Sequence, residues 1–162
     1  KKINLKSYSL KIKKFLKKKN CKIIFEPGRS IIGDAGLLIT KVIYIKENFK
    51  KDFVILDAAM NDLMRPALYN AVHRLIPAKK NKIKSKKTLE FVGPICESTD
   101  KFSTIKSFQK LKEKDLVIIC DTGAYGMSLS SNYNLRPKAI EILIKGSKIK
   151  IINKRQKLKD LI

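Results

Sequence analysis

The chain has 162 residues, 37 of them basic and 14 acidic, which gives a formal net charge of +23. Its hydrophobic fraction of 44% allows one medium-sized domain with a real core, and its apolar runs are strand-sized, too short to span a bilayer. Lysines spread along the chain without interleaved aromatic residues favour a solvated surface over a nucleic-acid site, and three cysteines without Cys-x-x-Cys spacing indicate reduced, cytoplasmic thiols, not a disulfide or zinc framework.

The first 36 residues predict a helix, a strand and a second helix in that order. Apolar residues at helical spacing among lysines indicate a basic amphipathic helix over residues 8–19. Residues 22–25 form a short apolar run that predicts a strand, which ends at the Glu-Pro-Gly-Arg of residues 26–29. Residues 30–38 then have helical character. This order is typical of the end of an α/β barrel.

After Gly36 the pattern becomes mainly β. Apolar and β-branched runs bounded by turn residues predict strands at residues 38–46, 53–56, 88–92 and 116–120, with a hairpin over 139–152. Helical segments are predicted at residues 61–72, around 105–112 and at 156–162, and an exposed lysine-rich loop at 79–87. We therefore expect a mainly β chain with α elements.

Glu26, Pro27, Gly28 and Arg29 lie at the predicted strand-to-helix junction. A helix N-terminus presents free N–H groups and a partial positive charge, which favour a phosphate. Gly28 allows close approach of the backbone, and Arg29 adds a charged donor. The alternative is an ordinary helix start with an acidic residue near its cap.

Three further segments place polar groups beside apolar runs. Cys96 and Glu97 follow a Gly-Pro break, where a thiol can donate a proton and a carboxylate can hold an ammonium group; a buried structural thiol is the alternative. Tyr125 stands between two glycines in a turn after an apolar strand, which suggests a phenol aimed outward or a generic Gly-rich turn. Arg65 and Tyr69 are spaced i, i+4 and would share a helix face that suits a carboxylate, or would stack on the surface.

In their order and residue sequence, these segments resemble the C-terminal portion of the diaminopimelate decarboxylases. Those are pyridoxal-phosphate enzymes of lysine synthesis with an alanine-racemase-like fold. The matching motifs are Glu-Pro-Gly-Arg (26–29), Arg-Pro-Ala-Leu-Tyr (65–69), Gly-Pro-Ile-Cys-Glu-Ser (93–98), Asp-Thr-Gly-Ala-Tyr-Gly (121–126) and Ser-Leu-Ser-Ser-Asn-Tyr-Asn (128–134). The resemblance implies that residues 37–162 are the C-terminal β-barrel or sandwich domain of a fold-type III decarboxylase. Residues 1–36 would be the last strand and helices of its α/β (TIM) barrel.

The resemblance also implies a role for each residue of the first motif and for Tyr125. Glu26 would pair with the pyridinium nitrogen of pyridoxal 5'-phosphate. Pro27, Gly28 and Arg29 would line the cofactor, with Gly28 and Arg29 facing its phosphate. Arg29 would also reach a substrate carboxylate, and Tyr125 would contact both the phosphate and the substrate.

On the substrate side, Arg65 and Tyr69 would contact meso-2,6-diaminopimelate and Glu97 would recognise its distal amino group. Cys96 would donate a proton after carbon dioxide leaves, and L-lysine would be the product. Cys96 and Glu97 would reach across a homodimer interface into the other subunit's site. No nucleic acid, membrane or metal is expected as a partner.

The resemblance departs from the family at the front of the chain. No segment resembles the one that supplies the family's Schiff-base lysine, and α/β barrels need about 250 residues. We therefore expect a fragment that is inactive alone. The alternatives are another basic amino-acid decarboxylase of the same fold (acting on ornithine, arginine or carboxynorspermidine), a basic nucleic-acid-binding module and a non-catalytic regulator derived from the fold. His73 and Arg74 are expected to be surface or packing residues.

Overall fold

A computed structural model describes residues 4–162, and these residues are mainly β with short helices, which confirms the predicted class. The strands are β1 (Leu37–Lys46), β2 (Lys51–Leu56), β3 (Leu75–Pro77), β4 (Thr88–Val92), β5 (Lys101–Ile105), β6 (Leu116–Cys120), β7 (Glu141–Lys145) and β8 (Lys148–Asn153). The α-helices are α1 (Leu5–Leu16), α2 (Arg29–Ile32) and α3 (Arg65–Tyr69). Single 3-10 turns lie at Gly33–Ala35, Met127–Leu129, Tyr133–Leu135 and Leu158–Asp160.

Strands β1 to β6 form one sheet in the order β3-β6-β1-β2-β4-β5, and β7 pairs with β8 in a separate hairpin. All neighbouring pairs in the six-stranded sheet are antiparallel except β2 and β4, which are parallel. It follows that β2, β4 and β6 all end at the same edge of the sheet, where β1 and β3 begin. We call this the site edge.

The core lies on the inner face of this sheet. Val42, Val54 and Phe91 are fully buried on β1, β2 and β4. Phe108, from the irregular chain after β5, packs edge-on against the Phe91 ring with 5.1 Å between the centroids. The buried apolar side chains thus hold the strands in register, and the polar segments lie at the ends of the strands.

Several predicted strands are confirmed within a residue or two, because apolar runs bounded by turn residues mark them well. The runs at 38–46, 53–56, 88–92 and 116–120 correspond to β1, β2, β4 and β6. The hairpin is also confirmed, and Gly146 in its turn has φ +60°, a conformation that favours glycine.

Other local predictions are wrong. Residues 22–25 form no strand, because within residues 4–162 no segment pairs with them. Residues 105–112 are not helical: the chain finishes β5 and then runs irregularly, with an isolated bridge between Lys84 and Gln109. Three predicted helices are shorter in the structure. The one predicted at 30–38 is replaced by α2 and the 3-10 turn that follows it, and the one predicted at 61–72 is reduced to α3. The one predicted at 156–162 is a single 3-10 turn. None of these segments has a long apolar stripe to bury, and short isolated helices are marginal.

Candidate functional site

The segments that hold the predicted site residues come together at the site edge. Residues 57–65 follow β2, residues 93–97 follow β4, residues 121–126 follow β6, and residues 26–36 precede β1. The segment after β2 is fixed at its start by Asp57, whose Oδ1 accepts hydrogen bonds from the Thr40 hydroxyl at 2.7 Å and the Lys41 N–H at 2.8 Å. Sequence motifs far apart in the chain therefore share one side of the molecule.

The turn after β6 packs backbone to backbone on the segment that precedes β1. The Gly123 N–H donates to the Gly33 carbonyl, and the Thr122 N–H donates to the Gly36 carbonyl, each at 3.0 Å. A Cβ at Gly123 would collide with the Ile32 carbonyl, and one at Gly36 would collide with Gly123. Gly36 and Gly123 are both needed for this close approach, which brings residues 26–29 near the 121–126 turn.

Gly28 and Tyr125 meet in this arrangement. A Cβ at Gly28 would occupy the position of the Tyr125 hydroxyl, so a side chain there would displace the phenol. Tyr125 has φ +60°, so the turn holds it in a conformation that non-glycine residues seldom adopt. Arg29 follows Gly28, and its Cγ lies about 3.0 Å from the position of a Cβ on Gly33. Glu26 is exposed and, among residues 4–162, no hydrogen bond or salt bridge reaches its carboxylate.

The Arg65 guanidinium lies near two phenol rings. Its guanidinium carbon is 5.8 Å from the ring centroid of Tyr69, one turn along α3, and 5.8 Å from that of Tyr125. Arg65 and Tyr69 therefore share a helix face as predicted, in a contact that agrees with stacking as well as with a carboxylate site, and Tyr125 joins them. The Arg65 Nε atom is buried and has no hydrogen-bond partner among the described residues. We call Gly28, Arg29, Arg65, Tyr69 and Tyr125 the Tyr125 cluster.

His73 is a neighbour of this cluster that the motifs did not indicate. It is only 2% exposed, which agrees with the packing alternative and not with a surface position. Burial lowers the pKa of its imidazole, and the positive charges of Arg29 and Arg65 lower it further. A hydrogen bond with the Cys120 carbonyl acts in the opposite direction. No sequence signal pointed to this residue, because its place depends on the pairing of β3 with β6.

Cys96 and Glu97 lie in a loop that a buried carboxylate organises. Asp100 is 2% exposed, and its two oxygens accept hydrogen bonds from the Met60 N–H at 2.7 Å and the Ile95 N–H at 2.8 Å. The loop is closed further by the Asp100 N–H, which donates to the Glu97 carbonyl at 3.1 Å. Burial raises the pKa of Asp100, and the two N–H donors only partly offset this effect. We call residues 95–100 the Cys96 loop.

The side chains of Cys96 and Glu97 are both exposed, so the structure does not support a buried structural role for Cys96. The Tyr133 hydroxyl donates a hydrogen bond to the Glu97 carboxylate. This bond and the negative charge of Glu97 raise the pKa of the Tyr133 phenol. Tyr133 belongs to the predicted 128–134 segment, which therefore contacts the Cys96 loop through its phenol.

A second polar network holds the 128–134 segment to the site edge. Asn61 is fully buried; its amide donates to the Ser131 carbonyl at 3.3 Å and its oxygen accepts from the Arg136 Nε at 2.9 Å. The Arg136 guanidinium also lies 3.8 Å from the Asp62 carboxylate. Burial raises the pKa of Asp62, with the charge of Arg136 acting in the opposite direction. These residues position the site without being part of its predicted chemistry.

Tyr125 and the Cys96 loop lie apart along the site edge, whereas α3, which carries Arg65 and Tyr69, packs on β5 and lines a cavity together with Ser98 and Thr99 of the loop. Tyr125 follows β6 and Cys96 follows β4, and β1 and β2 lie between those strands. Three strand spacings amount to roughly 14 Å along the sheet. Within residues 4–162, no hydrogen bond, salt bridge or aromatic contact joins the cluster to the loop. One chain therefore presents both groups along the same edge, with α3 near the Cys96 loop and Tyr125 farther from it.

Comparison with known proteins agrees with this arrangement. The family model for the C-terminal sheet domain of pyridoxal-dependent decarboxylases matches residues 8–123. The chain belongs to the pyridoxal-dependent decarboxylase family. Within this family it is 46% identical over 160 residues to the diaminopimelate decarboxylase of Zymomonas mobilis, covering 98% of this chain and 37% of that protein. The diaminopimelate decarboxylase of Aquifex aeolicus is 43% identical over 145 residues, covering 90% of this chain and 34% of that protein.

A solved structure of a pyridoxal-dependent decarboxylase superposes on most of the chain. The diaminopimelate decarboxylase of Helicobacter pylori, complexed with L-lysine, matches with a TM-score of 0.87 and 43% identity over 98% of this chain and 39% of that one. The resemblance stated from the motifs is thus confirmed, as is the C-terminal sheet domain. The chain spans little more than a third of the length of these relatives.

The remaining observations concern other classes of site. Within residues 4–162, no helix is long and apolar enough to cross a membrane. In the same part of the chain, no three His, Cys, Asp or Glu side chains cluster closely enough to hold a metal ion. The three cysteines are unpaired, with Cys21 and Cys96 exposed and Cys120 buried.

Proposed function

We propose that this chain forms part of the active site of a diaminopimelate decarboxylase, which removes one carboxylate of meso-2,6-diaminopimelate as carbon dioxide and yields L-lysine. The observation that supports this best is the Arg65 guanidinium at 5.8 Å from the ring centroids of both Tyr69 and Tyr125. A planar cation near two phenols suits a carboxylate, and the chain is 46% identical to an enzyme of that name.

The residues present fit pyridoxal 5'-phosphate as the cofactor. Gly28 has no room for a side chain beside the Tyr125 hydroxyl. That phenol and the Arg29 guanidinium can both donate hydrogen bonds to a phosphate. Helix α2 has only four residues, so we assign the phosphate to these donors and not to a helix dipole. The exposed Glu26 carboxylate would pair with the ring nitrogen, with Pro27 beside it. When bound, the cofactor supplies an electron sink for the charge left by the departing carbon dioxide.

The Cys96 loop would provide the other half of the chemistry. The exposed Cys96 thiol would donate the proton that replaces the lost carboxylate, and Glu97 would hold the distal ammonium group of the substrate. The Tyr133 hydrogen bond orients the Glu97 carboxylate for this task. Arg65 and Tyr69 would bind the distal carboxylate, which distinguishes diaminopimelate from ornithine, and Arg29 and Tyr125 would bind the substrate as well as the cofactor.

We also propose that two chains share each site in a homodimer. The roughly 14 Å along the sheet between β6, which precedes Tyr125, and β4, which precedes the Cys96 loop, supports this, because a Cys96 loop from the partner subunit would bring a thiol to Tyr125 across that span. Residues 1–36 would belong to the cofactor-binding barrel and residues 37–162 to the β-domain. Unpaired, partly exposed cysteines support a place in the cytoplasm.

Substitution of Arg65 in a complete enzyme that contains this chain tests the proposed substrate. Arg65→Met would leave a substrate carboxylate unpaired in a partly buried site, at a cost of about 2–5 kcal/mol of transition-state binding. We expect kcat/KM for diaminopimelate to fall by roughly 30-fold or more, while pyridoxal-phosphate binding stays nearly intact. Arg74→Met is the matched control, since Arg74 is exposed and outside the cluster.

The same assay decides between diaminopimelate and the other substrates of this fold. Diaminopimelate, ornithine, arginine and carboxynorspermidine are compared side by side. A wild-type enzyme that prefers ornithine, or an Arg65→Met variant that retains full activity on diaminopimelate, would overturn the proposal.

Mixing two inactive subunits tests the shared site. A subunit with Arg65→Met is combined with a subunit with Cys96→Ala. If sites are shared, half of the dimers are mixed and one of their two sites is intact, so about a quarter of the activity should return. If each chain builds its own site, no mixed dimer contains an intact site. Absence of recovery after verified subunit exchange would refute sharing.

A further inference from the structure

His73 has one ring nitrogen bound and one ring nitrogen unpaired. It lies between α3 and β3, and its Nδ1 is 2.9 Å from the carbonyl oxygen of Cys120 at the end of β6. Because a carbonyl oxygen can only accept, Nδ1 must hold the proton. In a neutral ring the other nitrogen, Nε2, then presents a lone pair and must accept a hydrogen bond.

Two buried side-chain atoms lack a hydrogen-bond partner within residues 4–162, and their hydrogen-bonding roles are complementary. They are Nε2 of His73, which is an acceptor, and Nε of Arg65, whose N–H is a donor. A buried polar atom without a partner costs about 1–3 kcal/mol, so native proteins pair such atoms directly or through a bound water. Two contacts place these groups in the same part of the site: the Arg65 guanidinium lies 5.8 Å from the ring centroid of Tyr125, on the turn that begins after Cys120, and His73 binds the Cys120 carbonyl. The Arg65 carbonyl also accepts a hydrogen bond from the Ala71 N–H, two residues before His73.

We propose that neutral His73 is a positioning residue for Arg65: its Nε2 accepts a hydrogen bond from one water, which in turn accepts the hydrogen bond of the Arg65 Nε–H. The Cys120 carbonyl fixes the ring, and the ring fixes the root of the guanidinium. The two terminal NH₂ groups then remain free to bind an anion near Tyr69 and Tyr125. That this anion is a substrate carboxylate rests on the proposed function; the pairing of His73 with Arg65 does not.

The charges that face His73 keep it in the required state. Burial lowers its pKa, Arg29 and Arg65 add to this, and the Cys120 carbonyl and Asp121 oppose it. The ring is therefore neutral at pH 7. Protonation at low pH would turn Nε2 into a donor to which the bridging water cannot donate, which would release the guanidinium from its position.

The tautomer of His73 tests the proposal in the chain alone. His73 is the single histidine of the 162 residues, so its ¹⁵N resonances need no assignment by mutation. We expect the neutral Nδ1–H tautomer at pH 7 and a pKa below the ordinary value of 6.5. An Nε2–H tautomer, or a ring that is protonated at pH 7, would overturn the pairing. This measurement needs no variant to fold.

A pair of substitutions separates the acceptor at Nε2 from the packing of the ring. His73→Asn retains a donor for the Cys120 carbonyl but removes the acceptor, whereas His73→Gln places a polar amide near the Nε2 position. We expect the Arg65 Nε–H resonance to shift and to exchange faster with solvent in the Asn variant, with partial recovery in the Gln variant. Arg74→Met should leave that resonance unchanged. An Arg65 Nε–H resonance that is unchanged in the His73→Asn variant would contradict the proposal.

Kinetics of a complete enzyme then connect the pairing to its use. Loss of a hydrogen bond to a charged group should raise KM for diaminopimelate by about 10- to 100-fold in His73→Asn, with a smaller change in kcat. A merely structural role would lower the melting temperature and affect the Asn and Gln variants alike, which would overturn a positioning role. An enzyme that shows the predicted tautomer but no activity on diaminopimelate would refute the proposed function and leave the pairing intact.

Discussion

Removal of the Asp100 carboxylate should destabilise the Cys96 loop more than any surface change. Asp100 is 2% exposed and accepts two backbone hydrogen bonds, from Met60 and Ile95. Each such bond to a charged group is worth about 1.5–3 kcal/mol, and the buried charge itself costs part of this gain. We therefore expect Asp100→Ala to lower the free energy of unfolding by about 2–4 kcal/mol, because two buried N–H donors lose their acceptor.

The pH dependence of this loss has a definite sign. The pKa of Asp100 is raised above its ordinary 3.8, so the folded state binds the proton more readily than the unfolded state. The stability contributed by Asp100 therefore grows as the pH falls through the folded pKa toward 3.8. Because Asn does not titrate, the gap in stability between the wild type and Asp100→Asn should widen as the pH falls through that window.

Urea unfolding of wild type and variants measures both effects, and amide exchange at Ile95 reports on the loop itself. Glu113→Ala is the matched control, since Glu113 is an exposed carboxylate in a loop, and it should change stability by less than about 0.5 kcal/mol. An Asp100→Ala variant as stable as this control, with unchanged protection of the Ile95 amide, would show that Asp100 does not hold the loop.

Three further predictions follow from individual contacts. In a complete enzyme, Cys96→Ala should lower kcat by roughly 100-fold or more with little change in KM. The control variant Cys21→Ala should have the kcat and KM of the wild type. An unchanged kcat in Cys96→Ala would exclude Cys96 as the proton donor. Gly28→Ala should displace the exposed Tyr125 ring and weaken pyridoxal-phosphate binding, measured by absorbance titration. It should cost no more than about 1–2 kcal/mol of stability, because the atoms that the new Cβ meets are at the far end of the Tyr125 side chain and not in the backbone. Glu90 is buried, which raises its pKa, but its hydrogen bond and ion pairs with two lysines outweigh this and lower the pKa. Its contribution to stability is therefore present above its ordinary pKa of 4.5 and is lost as the pH falls through the lower folded value. Glu90→Gln should cost about 1–2 kcal/mol at pH 7 in urea unfolding, and this cost should shrink as the pH falls below 4.5.

The strands were predictable because their signals are local. Each of β1, β2, β4 and β6 is an apolar run that ends in a turn residue, and these features do not depend on distant partners. The sequence pattern does not indicate β5 and instead predicts a helix around residues 105–112, because Ile105, Phe108 and Leu111 have helical spacing. Phe108 and Leu111 instead enter the core from an irregular segment, where the buried area outweighs local propensity.

The site was predictable only as separate motifs. The residues of the Tyr125 cluster stand in recognisable segments, so their residue types could be chosen from the sequence. The positioning groups could not be chosen in this way. His73 reaches the Cys120 carbonyl because β3 pairs with β6, and Asp100 reaches the Met60 N–H because β4 runs parallel to β2. Such pairings depend on sheet order, which no local pattern encodes.

The directions of the strands explain why the polar motifs share one edge. A sheet with strictly antiparallel neighbours would place the ends of β2 and β4 at opposite edges. The parallel pair β2 and β4 instead puts the segment that holds Arg65 and the loop that holds Cys96 on the same side. A crossover is needed to make that pair, and α3, His73 and β3 all lie in it. The connection that makes the parallel pairing possible thus also delivers the guanidinium and the histidine that would hold it.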